Sequence, residues 1–468
     1  MLHLVPPPRR LPEARLVTGR TIAPADGYEA LFADALARLP GTRHARLRAS
    51  REASFERFRA LGFPGPKAEA WKYTSVRPIA RERFALPAAA ALERATLAPY
   101  LLRQRGALRL VFVNGALAAD LSDDVSAISK GAVQSLAAAL DAGATDAAAF
   151  GLEEVSERGF SALNGALAAD GGIIRIADGA RLPGPVQLLF VSLGQDEPAQ
   201  SEAAQAAMIS PRNVIELGAG AQLDLVETHL ALGAGRPLTN LVNRIVVGRG
   251  ATLNHDRLQL GELAGRFIGK THYQISADAR LTQTLATFGG AMVRNEIEAV
   301  LAGSGIALQL NGLYLTRGRQ HVDNAIQVEH AAPGSTSDQF YKGVLDEQAR
   351  AVFAGRILVR RAAQKTNAYQ NNANLLLSSD AEVDTKPELE IFADDVKCSH
   401  GATAGELDER ELFYLRSRGL DPATARSLLT FAFADEVLER FGQPEVARQA
   451  KRALLSWLPG GPSLEDLS

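Results

Sequence analysis

Apolar residues near the start of the chain recur at the spacing of helices. Over 27–61 they fall three or four positions apart, and the break at Pro40 predicts two helices that close a hairpin. A strand is predicted over 108–114, and an alanine-rich helix over 131–148. Residues 1–170 are therefore predicted to form a mainly helical α/β domain.

After Gly171 apolar residues alternate with polar ones, a pattern typical of half-buried strands. Turns that resemble one another separate the strands, with 30 residues between Ala221 and Ala251 and 28 between Ala251 and Ala279. A recurring turn and strand at this period indicates a solenoid in which each turn of chain covers the next. The similar turns are 178–182, 218–223, 248–253, 277–281 and 303–308.

The predicted fold class is therefore mainly β, with a right-handed β-helix, a stacked β-solenoid, over residues 171–415. A β-sandwich is the alternative, but it gives no reason for the turn sequence to recur. Helical domains are expected on both sides of the solenoid.

Helical spacing returns in the last part of the chain, over 416–468. Asp421 followed by Pro422 is typical of a helix start, and the pattern continues to Phe441. A second helix is predicted from Pro444. Two helices alone make a poor core, so we expect their apolar faces to lie on the solenoid or on another protein.

The composition is that of an ordinary globular protein and excludes several classes of partner. The 468 residues are 46% hydrophobic, and 51 Lys and Arg face 53 Asp and Glu, so the chain lacks the basic excess that nucleic-acid binding needs. Its single cysteine forms no internal disulfide and holds no zinc by itself. The N-terminus lacks a signal-like apolar stretch, and a cytoplasmic location is predicted.

Two features of the sequence give only weak support for a binding site: a segment similar to a phosphate-binding loop, and the histidines of the solenoid. The segment Ala264–Thr271 is one residue short of a phosphate-binding loop, and a predicted strand follows it where that loop needs a helix. The histidines of the solenoid show no metal-ligand spacing. Distant turns can align, but each histidine taken singly is better explained as hydrogen-bonded structure. They are His229, His255, His272, His321 and His330.

One strand near the end of the solenoid carries stronger metal-binding candidates. Leu389, Ile391 and Ala393 alternate as predicted buried positions before an Asp-Asp break. Beyond it, Cys398 and His400 point to the same side and offer one soft and one borderline ligand, suited to iron, zinc or the edge of a cluster. Two ligands do not complete a site, so another chain would have to supply the rest. The alternative is a buried cysteine beside a histidine in a turn before Gly401.

The amino-acid sequence of this strand and of several other segments resembles the SufB/SufD family of iron-sulfur cluster assembly proteins. Glycine at position 401 and the absence of an upstream cysteine make the chain most similar to the SufD members. The residues that carry the resemblance are 69–74, 337–343, 370–379, 387–391, 393–403 and 412–419.

The resemblance implies a scaffold of the SUF system rather than an enzyme, with a β-helix between helical domains. It implies a heterodimer with SufB, a SufC ATPase bound through the C-terminal helices, and sulfur received indirectly from SufS and SufE. His400 and Cys398 would face the SufB interface as metal ligands, where a transient iron-sulfur cluster forms and iron is acquired. The isolated chain is expected to hold no cluster, and to form a homodimer when SufB is missing. Reduced flavin is associated with such complexes, although the sequence has no flavin-binding string.

The competing interpretation is a β-helix lyase or hydrolase acting on carbohydrates. It predicts a signal peptide, a cluster of exposed carboxylates and aromatic side chains along one face of the solenoid. The first is not visible in the sequence, the second cannot be identified by spacing, and Trp71 and Trp457 both lie outside the solenoid.

Overall fold

The computed structural model describes residues 21–24, 27–129, 131–143, 158–194, 205–233, 235–261 and 264–460. Helices predominate before the solenoid, and a 3₁₀ turn covers Glu69–Trp71. The helices are α1 (Tyr28–Arg38), α2 (Ala45–Leu61), α3 (Arg77–Arg81), α4 (Arg94–Leu97), α5 (Val125–Ile128), α6 (Leu136–Asp141) and α7 (Gly159–Leu167). The short strands are β1 (Phe84–Ala85), β2 (Leu108–Val113), β3 (Ala116–Leu117) and β4 (Val133–Ser135).

The predicted hairpin and strand are present in this part of the chain. The helices α1 and α2 form the hairpin, and β2 matches the predicted strand. Only α6 forms within the predicted helix 131–148, whose residues 144–148 lie outside the described residues.

A β-solenoid follows, and successive strands alternate between two parallel sheets. Sheet I contains β5 (Gly172–Ile176), β8 (Arg212–Leu217), β10 (Leu238–Val247), β12 (Arg266–Ile275), β14 (Met292–Leu301), β16 (His321–His330), β18 (Arg350–Val359) and β20 (Glu382–Ile391), with β7 (Ala206–Ile209) beside β10. Sheet II contains β6 (Val186–Leu193), β9 (Gln222–Leu232), β11 (Thr252–Leu260), β13 (Arg280–Phe288), β15 (Ala307–Thr316), β17 (Thr336–Leu345), β19 (Thr366–Leu376) and β21 (Val396–Gly405).

The prediction of a mainly β chain with a solenoid core and flanking helices is confirmed. The strands of the N-terminal part extend both sheets. β4 pairs with β5 and β1 with β7 in sheet I, while β2 pairs with β6 and β3 with β2 in sheet II. The phosphate-loop-like segment is largely strand β12, which runs on to Ile275 through the residues predicted to form a strand.

The similar turns stack on one another at one corner of the solenoid. Gly220 and Gly250 both have φ of +66°, in the left-handed region that glycine adopts without steric cost. The residues that follow them, Ala221 and Ala251, are fully buried. The amide of Thr252 donates to the carbonyl oxygen of Ala221 at 2.9 Å, which ties one turn to the next. The recurring sequence thus reflects a recurring buried corner.

A short N-terminal segment, Glu69–Thr74, holds the helical region against sheet I and is called the Trp71 clamp below. The guanidinium of Arg294 on β14 lies 3.8 Å from the ring centroid of Trp71. Arg294 also donates to Glu296 at 2.9 Å and forms a buried ion pair with Asp323. The hydroxyl of Thr74 donates to the same Asp323 carboxylate. The clamp therefore joins residues more than 200 positions apart in the chain.

The clamp also reaches the last strand of sheet I. The ammonium of Lys386 on β20 donates to the Glu69 carboxylate at 2.6 Å. Both side chains are partly exposed, so the pair contributes little stability. It nevertheless fixes the position of Glu69, the first residue of the clamp.

The C-terminal region contains α8 (Glu409–Ser417), α9 (Pro422–Leu438) and α10 (Pro444–Trp457). Asp421 accepts hydrogen bonds from the amides of Ala423 and Thr424, and Pro422 takes the first helical position, which confirms the predicted helix start. The start of α10 at Pro444 also agrees with the sequence, whereas α8 was not predicted.

The helices α9 and α10 cover the outer face of sheet II. Val437 and Leu438 share one buried core with outward-facing residues such as Leu258 and Leu313. At the start of α10, the Asp256 carboxylate accepts the amides of Gly442 and Gln443, while burial raises the pKa of Asp256 to about 7. The expectation that these helices pack on the solenoid is confirmed.

Among the described residues, no helix combines the length and the apolar character needed to cross a membrane.

Candidate functional site

The C-terminal end of the solenoid is open. In the described part of the chain, β20 pairs only with β18, and β21 pairs only with β19. One backbone edge of each last strand is therefore unpaired, which is the arrangement that favours strand addition by another chain.

Cys398 and His400 both lie on β21, as predicted, and they face the same side. Their partners on β19 in the strand register are Ala368 and Gln370, whose side chains are buried inside the solenoid. Cys398 and His400 therefore lie on the face of β21 that is turned toward the solenoid interior. Because this is the last turn of the solenoid, no further turn stacks on it. Positions two apart on one strand are separated by about 7 Å.

The two candidate ligands differ in exposure. Cys398 is half-buried and packs beside Ala368 and Leu389, whereas His400 is exposed. Burial raises the pKa of the Cys398 thiol, so less of it is thiolate at neutral pH than for a free cysteine. The imidazole is the more accessible ligand of the pair.

A hydrogen-bonded polar layer lies directly beneath this strand. The Gln370 side-chain amide donates to Gln339 at 2.9 Å, and the Asn374 amide donates to Asn372 at 2.8 Å and to the carbonyl oxygen of Thr403 on β21 at 3.1 Å. The bond from Asn374 to Thr403 ties β21 to the turn before it.

Exposed apolar side chains surround the open end. They belong to β19, to β20 and to the residue that follows β20. We call this group the end patch, and its members are Tyr369 (46% exposed), Ile391 (40%) and Phe392 (58%). Large apolar residues exposed at the uncovered end of a fold are typical of a protein interaction surface.

One local prediction is wrong at this end: Ile391, predicted to be buried, is exposed because the solenoid ends beside it and supplies no covering turn. The alternative interpretation of Cys398 and His400 assumed a turn before Gly401, but both His400 and Gly401 lie within β21. Ala393, by contrast, is buried as predicted.

The described residues hold no group of three or more His, Cys, Asp and Glu side chains arranged to bind a metal ion. Cys398 and His400 therefore remain a pair of ligands at an open end. Their role as metal ligands stays a prediction.

Two family profiles match the chain. The profile described as "SUF system FeS cluster assembly, SufBD core domain" matches residues 199–433, and the "SufBD protein N-terminal region" matches residues 23–188. The chain belongs to the SufBD family. The family predicted from the sequence is thus confirmed, and SufBD proteins are iron-sulfur cluster assembly proteins. The carbohydrate-active alternative gains no support from this membership.

Several curated proteins align over most of the chain. A SufBD family protein of Synechocystis sp. is 32% identical over 415 residues, which cover 86% of this chain and 89% of the relative. The iron-sulfur cluster assembly protein SufD of Escherichia coli is 31% identical over 403 residues, 86% of this chain and 90% of the relative. The chloroplastic protein ABCI7 of Arabidopsis thaliana is 32% identical over 294 residues, 62% and 61% of the two chains.

The structure also brings together residues that the sequence left scattered. His229 and His255 both approach the carboxylate of Glu227 inside the solenoid, at 2.5 and 3.4 Å. The other three solenoid histidines lie elsewhere: His272 approaches Glu298 at 3.7 Å, His321 contacts Thr74 of the Trp71 clamp, and His330 contacts Ser337. This cluster can be identified only from the strand register. Leu225 aligns with His255, and Glu227 is the next inward-facing residue of β9 after Leu225.

Proposed function

We propose that this chain is a scaffold subunit of the SUF iron-sulfur cluster assembly complex and acts by binding partners rather than by catalysing a reaction. The open end of the solenoid pairs with SufB, and the C-terminal helices bind the SufC ATPase. The observation that carries the proposal is the unpaired strand β21, which presents His400 and Cys398 beside the end patch.

Strand addition explains why ligands and an unpaired edge occur together. A SufB strand laid along β21 would satisfy the free backbone groups and would cover the end patch of Tyr369, Ile391 and Phe392. It would also bring SufB side chains opposite the interior face of the last turn. The ligand set that this chain leaves incomplete would then be completed across the interface, with the nascent cluster as cargo.

The helix α8 is the surface best suited to SufC. Of its residues only Leu412 is buried, while Phe413 is 73% exposed and Tyr414 is 56% exposed. The apolar faces of α9 and α10, in contrast, are covered by sheet II. Because exposed aromatic residues are frequent anchors of interfaces, Phe413 and Tyr414 are the expected contacts.

Replacing His400 by alanine is expected to lower the cluster content of the reconstituted complex about tenfold, because removal of a ligand costs at least as much metal affinity as loss of an outer-shell partner. Cys398→Ala should have a smaller effect, since this thiol is half-buried and a small apolar group can replace it. Visible absorbance and bound iron per complex measure the result.

Ser399→Ala is the matched control, because Ser399 lies between the two candidates and faces the opposite side of β21. Cluster loss in this control equal to that in His400→Ala would point to disruption of the strand. A His400→Ala complex with normal melting temperature and normal cluster content would remove the ligand role.

Replacing Phe413 and Tyr414 together by alanine is expected to weaken binding to SufC by at least about tenfold, as is typical when aromatic anchors are lost from an interface. The residues are exposed, so the melting temperature of the isolated chain should not change. Calorimetric titration with purified SufC measures the affinity. Ile128→Ala, which removes an apolar side chain of similar exposure from the N-terminal region, should bind normally.

A further inference from the structure

Several inward-facing side chains of the solenoid are polar and fully buried. They lie on β9, β11, β13 and β17, well inside the molecule and apart from the open end. The members used below are Glu227, Arg257, Gln283 and Tyr341, each with no exposed surface. Buried polar groups in native proteins are nearly always hydrogen-bonded, so each must have a partner that satisfies it.

The acidic member of this group is well satisfied by the protein. The Asn243 amide donates to Glu227 Oε2 at 2.6 Å, and His229 lies 2.5 Å from Glu227 Oε1. Burial alone would raise the pKa of Glu227. The charge of Arg257 and the hydrogen bonds from His229 and His255 instead hold this pKa well below its ordinary value. The carboxylate is therefore ionised.

Arg257 is not satisfied in the same way. Its Nε lies 3.3 Å from Glu227 Oε1, so the ion pair occupies only one edge of the guanidinium. Within the described residues, neither terminal nitrogen of Arg257 has a hydrogen-bond acceptor. The guanidinium lies 4.9 Å from the ring centroid of Phe267, which offers a π-face but no lone pair directed at the N–H groups.

Two further donors without partners lie close to Arg257. The side-chain amide of Gln283 and the hydroxyl of Tyr341 make no hydrogen bond to the described residues. Arg257 and Tyr341 lie in one column of sheet II, with Leu285 and Gly312 between them in the register. The Tyr341 ring lies over Gly312 and so extends back toward Arg257.

Gln283 occupies the neighbouring column of sheet II, on the strand next to Arg257. The Arg257 guanidinium reaches across the interior to Gly269 on β12 of sheet I. A Cβ added to Gly269 would lie 2.8 Å from a terminal nitrogen of Arg257, so the guanidinium occupies the space that the glycine leaves free. The unpaired donors thus share one region of the interior.

We propose that Arg257, Gln283 and Tyr341 bind a small inorganic anion, with the charge and about the size of chloride, inside the solenoid. An unsatisfied buried donor costs about 1 to 3 kcal/mol, and more when it is charged, so donors without protein acceptors call for a ligand that supplies lone pairs. The positive guanidinium edge favours an anion. This site is independent of the proposed scaffold function.

Space and charge both restrict the ligand. A cavity of about 30 Å³ lies next to the group: His229 and Phe267 line it, whereas Arg257, Gln283 and Tyr341 do not. It has room for about one water-sized particle, so an organic anion could not reach the group by this route. The Glu227 carboxylate lies against the Nε edge of Arg257 and against the imidazoles of His229 and His255, which leaves the two terminal nitrogens of Arg257 without an acceptor among the described residues.

Crystals of the full-length chain grown in sodium bromide test the site directly. We expect an anomalous bromide peak within hydrogen-bond distance of the terminal nitrogens of Arg257. Bromide peaks confined to surface arginines, with water alone at Arg257, would overturn the proposal.

Line broadening of ³⁵Cl in solution provides the affinity, with bromide as the competitor. Gln283→Leu removes one donor and leaves the Glu227 ion pair intact, so it should fold and bind chloride roughly tenfold more weakly. Gln309→Leu makes the same change at an exposed position of the same sheet and should bind normally. Wild-type affinity in Gln283→Leu would contradict the proposal.

Discussion

Replacing Arg294 by alanine is expected to lower the free energy of unfolding by about 3 to 5 kcal/mol, because it leaves buried carboxylates without their cation. Asp323 and Glu296 both pair with this guanidinium, and Trp71 stacks on it. Removing Arg294 therefore also loosens the Trp71 clamp. Urea unfolding followed by circular dichroism measures the loss.

The pH dependence of this loss identifies its cause. Burial alone would raise the pKa of Glu296, but the charges of Arg294 and Arg158 hold this pKa below its ordinary value of 4.5. A carboxyl group with a lowered pKa stabilises the fold above the pKa of the unfolded state, and this contribution disappears as the pH falls. The difference between the wild type and Arg294→Ala should therefore be largest near neutral pH and shrink below about pH 4.5.

Arg356→Ala is the matched control for Arg294. Arg356 pairs with Glu390 at 2.6 Å on the outer face of sheet I, but both side chains are partly exposed. Such a pair contributes about 1 kcal/mol or less. An equal loss in the two variants would show that burial of the Arg294 network adds nothing.

Ala402→Pro is expected to abolish pairing with SufB while the chain stays folded. Asn367 of β19 donates its amide to Ser335, away from β21, and the amides of a parallel strand alternate in direction. In the register, Asn367 aligns with Lys397, so even-numbered amides of β21 point to the free edge. Proline at 402 therefore removes an N–H that only a partner strand could use.

Co-purification and sedimentation with SufB measure the effect of this proline. Ala402→Val is the control, because it keeps the amide and suits a strand. The proline variant should keep its melting temperature within a few degrees and lose the partner, whereas the valine variant should keep both. Undiminished pairing of a folded Ala402→Pro chain would contradict strand addition at β21.

The fold could be predicted where its sequence repeats. Three turns that recur after 30 and 28 residues carry the buried alanines Ala221, Ala251 and Ala279, and this regularity of the turns is visible without any structure. The capping pattern of Asp421 and Pro422 was equally local. The helix α8 was missed because a single buried residue, Leu412, gives no apolar periodicity.

Features that depend on the register or on the end of the solenoid were less predictable. Glycine usually signals a turn, but Gly401 lies within an exposed edge strand, where a missing side chain costs little packing. Ile391 follows the alternation of a buried strand, and only the position of the last turn exposes it. Strand parity placed Cys398 and His400 on one side, whereas the cluster around Glu227 required the alignment of separate turns.

The turns of the solenoid form a nearly one-dimensional array, in which each turn contacts only its two neighbours. The last turn, formed by β20 and β21, has one neighbour, so less free energy opposes its local opening than opposes opening of a middle turn. Its amide hydrogens should therefore exchange with solvent soonest among the solenoid strands. A strand added by a partner would turn this terminal unit into an internal one. Partner binding would thus set the rigidity of the strand that carries Cys398 and His400.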